Sequence, residues 1–262
     1  MKNRSVAVRI VLDVVMLAFL ASLYSKNVIS LAYHEAAGLV LLALIAVHTL
    51  LNRRWLAAVA QAFSAQMRNG RSRVVILVTA LLALSWTGVF VTGVLVSKRL
   101  FAFGVNRLIP WHFFCAALAI VFSGAHLGLY WNYLRGFTAR YIRLPRALAV
   151  ALMIVVFCFG GYRLATSGFR RWVSAPFAAS QMHHHGPAHS EGNGAPEQTN
   201  KRPGHGRGHG QRMKPPFSWL RLADVCASSF SMVFFFAALT HALDEWNKKR
   251  ALKELVNDET KD

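Results

Sequence analysis

Four histidines stand in two matched pairs. His34 and His48 are fourteen residues apart, and so are His112 and His126. At 100° per residue, fourteen residues fall roughly 40° short of four helical turns, so the imidazoles of each pair share one face of a helix, roughly 21 Å apart along its axis. Imidazole is a neutral nitrogen ligand for transition metals. Two imidazoles facing each other from neighbouring helices are what a six-coordinate b-type haem needs at its axial positions, without a covalent thioether. A lone histidine in a membrane helix often serves only to join helices by a hydrogen bond. A doubled, equally spaced pair favours ligation. The spacing therefore predicts two haem b groups, with His34 and His112 as the iron ligands of one and His48 and His126 of the other.

The elements that must hold these side chains are apolar blocks. Hydrophobic residues make up 55% of the 262-residue chain and gather into stretches of about twenty, divided by Arg and Lys clusters. Six spans follow, at about 8–24, 31–51, 74–96, 111–133, 147–163 and 222–241, which predicts an all-α polytopic membrane bundle. Lys and Arg outnumber Asp and Glu by 30 to 11, for a formal charge of +19. Because the basic residues sit at the ends of apolar blocks, they face phospholipid headgroups, and nucleic acid is excluded as a partner. Fifteen of those beside short connections fall on one side of the alternating loops and four (Lys26, Lys98, Arg99, Arg107) on the other. That split puts both termini in the cytoplasm, His34 and His112 at the outer depth, and His48 and His126 at the inner depth. Two haems stacked in this way divide the bilayer into hops short enough for electron tunnelling. The basic start (Lys2, Arg4, Arg9) before an apolar run has the look of a signal peptide, but Asp13 interrupts the run, and an uncleaved first span is expected.

The domain organisation expected is a five-span haem-binding bundle over 1–163 with its core unit in 5–135, a disordered outer loop over 164–217, and a sixth span with a basic cytoplasmic tail over 218–262. The loop is Gly, Pro and His with little to bury. Its His183, His184, His185, His189, His205 and His209 could bind Zn, Cu or Ni, but their spacing defines no fixed site, and a solvated linker is the plainer reading. Cys115, Cys158 and Cys226 have no paired spacing and no Cys-x-x-Cys-His, which argues against a disulfide framework and a c-type haem.

Around the histidines, Gly38, Gly124 and Gly128 leave the helix surface bare, either for a flat porphyrin or for close helix packing. Arg53, Arg54 and Arg135 on the inner side and Arg107 on the outer side are candidate partners for haem propionates, although topology alone accounts for the inner three. Glu35 either orients a ligand or is solvated. His241 has no matched partner and reads as an interfacial polar residue, and Trp55, Trp111 and Trp131 read as interfacial anchors.

Three stretches carry a family likeness: Ile10-Val-Leu-Asp-Val-Val-Met, His34-Glu-Ala-Ala-Gly leading to His48-Thr-Leu-Leu-Asn-Arg-Arg-Trp55, and His126-Leu-Gly-Leu-Tyr-Trp131. In these the chain resembles the flavinylation-associated cytochrome domain, a bacterial membrane family, over about residues 5–135. The resemblance implies a multi-pass protein of the bacterial cytoplasmic (inner) membrane that passes electrons from the cytoplasmic side or the quinone pool to extracytoplasmic proteins carrying covalent flavin. The four histidines carry over one by one as the expected haem ligands. Departures from the pattern are two further spans, the His-rich loop and the lack of a flavin-attachment domain, so any flavin would sit on a partner. An electron-transfer subunit without a substrate site of its own is the leading expectation. Its competitors are a ferric or cupric ion reductase whose loop presents metal to the outer haem, and a non-redox metal-handling membrane protein.

Overall fold

The structure, a computed structural model, describes residues 2–24, 30–53, 70–141, 145–182 and 218–259. Arg54, Trp55 and the six loop histidines lie outside the described residues, all of whose regular elements are helices. In chain order these are α1 (Lys2–Leu23), α2 (Leu31–Leu51), α3 (Gly70–Val96), a 3₁₀ turn (Asn106–Leu108), α4 (Ile109–Leu129), α5 (Trp131–Tyr141), α6 (Arg146–Thr166), α7 (Phe169–Met182) and α8 (Trp219–Glu259).

Local chemistry explains the boundaries. Ser30 caps α2 by accepting a hydrogen bond from the Tyr33 N–H, and Asn52 closes it by donating to the carbonyl of His48. Pro110 opens α4, where its missing N–H costs nothing. Apolar side chains point outward all round the helices: Leu42, Leu84, Val91, Leu152 and Val155 are all exposed. A helix that is apolar on every face suits lipid. Among the described residues, five segments, Leu31–Leu51, Arg71–Val96, Asn106–Leu129, Arg146–Ala178 and Trp219–Glu254, are long and apolar enough to cross a membrane.

Several boundaries differ from the sequence reading: α1 starts already at Lys2, and α8 runs on past 241 to Glu259. The fourth span stops at Leu129, and after Tyr130 a separate amphipathic helix, α5, begins. More substantially, the segment expected as a disordered loop from 164 starts as helix, since α6 runs to Thr166 and α7 continues to Met182. Composition averaged over the whole loop hid a 14-residue amphipathic helix whose Phe169 and Pro176 are buried. The remainder, 183–217, lies outside the described residues.

Helix α4 is the hub, packed by α3, α7 and α8, while α8 also packs against α1 and α6. The core joins Ala117 and Ile120 of α4, Phe169 of α7, and Met232 and Val233 of α8. Small residues let the backbones approach: a Cβ at Gly124, Gly128 or Gly160 would run into the backbone of α8 at Val233, Ala237 or Ser231. Of the two readings offered for Gly124 and Gly128, the geometry selects helix packing. Ser228, Ser229 and Ser231 are buried on α8, where each hydroxyl donates to a carbonyl of its own helix, and Ser229 also reaches Ala21 of α1 at 3.2 Å. Helix α2, by contrast, packs along α1 and meets α3 only sparingly, which leaves a gap between the α1–α2 pair and the α3–α4 pair.

Candidate functional site

That gap is a cleft of about 310 Å³, with His34 of α2 on one wall and His112 of α4 on the other. Their rings face each other with centres 6.2 Å apart and planes at 75°. Two imidazoles bound to one metal from opposite sides, with bonds of roughly 2 Å, have centres roughly 6 Å apart, so the donor set and spacing fit a doubly ligated iron. Room comes from two glycines. A Cβ at Gly38 would meet nothing within 4 Å, and one at Gly93 of α3 would stand 3.2 Å from His112 Cε1. Phe90, Phe113 and Trp172 contribute aromatic lining, and Trp172 of α7 stacks on Phe113 at 5.4 Å and packs at a tilt against Tyr24 at 4.7 Å.

Side chains on other helices meet the Nδ1 atoms of His112, His126 and His48. Thr92 Oγ1 donates its proton to the Gly88 carbonyl at 2.5 Å, so at 3.1 Å from His112 Nδ1 it acts as an acceptor. His112 therefore carries its proton on Nδ1 and keeps the Nε2 lone pair for a ligand role. Thr79 repeats the arrangement nearer the start of α3, donating to Val75 at 2.8 Å while it lies a longer 3.5 Å from His126 Nδ1. His48 uses a carboxylate instead: Asp13 Oδ1 of α1 accepts from Nδ1 at 2.7 Å. His126 lies close to His48 and Asp13. The antiparallel pairing of α3 with α4 thus sets Thr92 beside His112 at one end and Thr79 beside His126 at the other, with His34 at the first end and His48 at the second.

At the His48 end, Arg9 donates to Asn52 Oδ1 at 3.1 Å, and the Asn52 amide donates to the His48 carbonyl at 2.9 Å, clasping α1 to α2. The same amide is 3.4 Å from His48 Nε2.

Glu35 is half-buried and bonds to the turn after α3, not to a histidine. Its carboxylate accepts from Ser97 Oγ at 2.8 Å and from the backbone N–H groups of Lys98, Arg99 and Leu100 at 2.9 to 3.3 Å, tethering the turn after α3 to the start of α2. Arg53, just past α2, Arg107, in the 3₁₀ turn, and Arg135, within α5, are all exposed. His241 stacks obliquely on Trp131 at 6.0 Å, and Trp131 packs edge-on to Phe234, so Trp131 is a helix-packing residue as much as an anchor.

Asp13, Thr92 and Thr79 were not singled out as site residues from sequence. Asp13 had a usable signal, because an ionisable residue inside an apolar run is a functional candidate by default. Thr92 had none: Thr87, on the same helix, makes the same bond to the carbonyl four residues back. Among the described residues, no three His, Cys, Asp or Glu side chains converge as they would around a bare metal ion. No family model, curated protein or solved structure matches the chain.

Proposed function

We propose that the chain is a membrane electron carrier that holds two b-type haems, one between His34 and His112 and one between His48 and His126, and that it belongs with the flavinylation-associated cytochromes it resembles. The observation that carries this reading is the opposed His34 and His112 rings, 6.2 Å apart across a largely apolar cleft that also holds Glu35 and Ser97. Bound haem would supply one-electron chemistry at its iron. The protein's part is to present Nε2 atoms: Thr92, Thr79 and Asp13 each engage an Nδ1 and fix the ring that bears it. Apolar walls keep water from the ligands, and separation of the two pairs along the bundle gives an electron an intermediate stop.

In this reading α1 is a sixth span, both termini are cytoplasmic, the His-rich loop faces outward, and the membrane is the bacterial inner one. Electrons come from a cytoplasmic-side donor or a quinol and leave to an extracytoplasmic flavoprotein or other acceptor, with no substrate site in the chain itself. Arg53, Arg54, Arg107 and Arg135 remain the candidate propionate partners. The ion-reductase and metal-handling alternatives rest on histidines outside the described residues. Haem-replete expression followed by pyridine haemochrome assay tests the proposal. Two haems per chain with reduced b-type absorption bands are expected, and a protein with one haem or none overturns it.

A further inference from the structure

The two histidine pairs differ in the charge placed behind their members. Behind His48 stands a carboxylate, Asp13 Oδ1 at 2.7 Å, and behind His112 a neutral hydroxyl, Thr92 Oγ1 at 3.1 Å. His126 also has only a hydroxyl, Thr79 at 3.5 Å. We propose that Asp13 is a positioning residue that sets the redox order of the two sites, holding the His48–His126 site at a lower potential than the His34–His112 site, so that electrons run from the inner end to the outer. This inference rests on the two-haem reading.

The physical argument has two steps. An N–H donated to an ionised acceptor forms a shorter bond, roughly twice as strong as a neutral one, and leaves the imidazole a more basic ligand. A more basic ligand with a fixed negative charge behind it favours the oxidised, more positive iron, which lowers the reduction potential of that site alone. The geometry also keeps Asp13 in place. Arg9, one turn before it on α1, is engaged with Asn52, and Asn52 holds the last turn of α2 that carries His48. In the resulting transfer one electron leaves the inner site, which is oxidised, and enters the outer site, which is reduced. No bond in the chain forms or breaks. A reduced quinol or cytoplasmic carrier refills the first, and an oxidised outer acceptor drains the second.

Redox titration of the full-length protein, followed by optical spectra, separates this role from a merely structural one. Asp13→Asn keeps an oxygen acceptor but loses the charge. It is expected to raise the lower of two resolved potentials by on the order of a tenfold change in the oxidised-to-reduced ratio, about 59 mV for one electron, and to leave the higher one in place. Asp13→Glu should restore the lower value. If Asp13→Asn fails to insert, Thr92→Asp tests the same rule from the other end, since a carboxylate behind His112 should lower the higher potential by a similar amount. Site assignment comes from His112→Ala, which should leave only the inner haem to titrate. Two haems whose potentials are unmoved by both substitutions, or an inner haem that titrates above the outer one, would overturn this inference while leaving the two-haem function standing. A wild-type protein without haem overturns both.

Discussion

Replacing Thr92 by Val isolates the contribution of one hydroxyl to the outer pair. The two side chains have nearly the same shape, so the apolar contacts of α3 with α4 persist. What goes is the acceptor 3.1 Å from His112 Nδ1, along with the bond from Thr92 to the Gly88 carbonyl. Withdrawing a partner from a half-buried polar group costs about 1–3 kcal/mol. Loss of an outer-shell partner of a metal ligand typically weakens binding about 10- to 100-fold. The expected outcome is a chain that folds and inserts but binds the His34–His112 haem about 10- to 100-fold more weakly, with the second haem unaffected. Haem titration of apoprotein in detergent, followed by pyridine haemochrome counting, reads this directly. Thr87→Val is the control, because Thr87 bonds only within its own helix, to Ala83 at 2.9 Å. Equal haem affinity in the two variants would refute the claim that Thr92 fixes the ring of His112.

Other outcomes follow from the same geometry. His34→Ala and His112→Ala should each remove one and the same haem, and His48→Ala and His126→Ala the other; difference spectra that group the variants by helix instead would show that pairing by depth is wrong. Gly128→Leu drives a side chain into the α8 backbone at Ala237 and should destabilise the bundle by at least about 1–3 kcal/mol, seen as a lower thermal midpoint in detergent, whereas Gly38→Ala, which has open space before it, should leave folding intact. An alkaline phosphatase fusion near residue 194 should be active and a cytoplasmic reporter at the same place inactive, with the reverse pattern inverting the assigned topology.

Much of the architecture is local and therefore legible in the chain. Helix α2 occupies Leu31–Leu51, the span read from hydropathy, because a run of apolar residues between Ser30 and Asn52 carries its own start, length and stop. The fourteen-residue spacing likewise determined, through helical periodicity alone, that His34 and His48 share a face, as do His112 and His126. What no local pattern contains is the identity of the neighbour across a helix interface. Glycines beside a histidine look the same whether they receive a porphyrin or another backbone, and only the approach of α8 assigns Gly124 and Gly128 to packing while Gly38 stays open. Glu35 beside His34 looked like part of the site until the turn at Ser97–Leu100 closed onto it from sixty residues away. Asp13 and Thr92 come to their histidines from 35 and 20 residues distant, on helices whose order in the bundle sequence periodicity does not encode. Hydropathy and helical pitch act within one segment, whereas side-chain hydrogen bonds and backbone approach act between segments, so the paired histidines were readable from the chain and the groups that bond to them were decided by the tertiary structure.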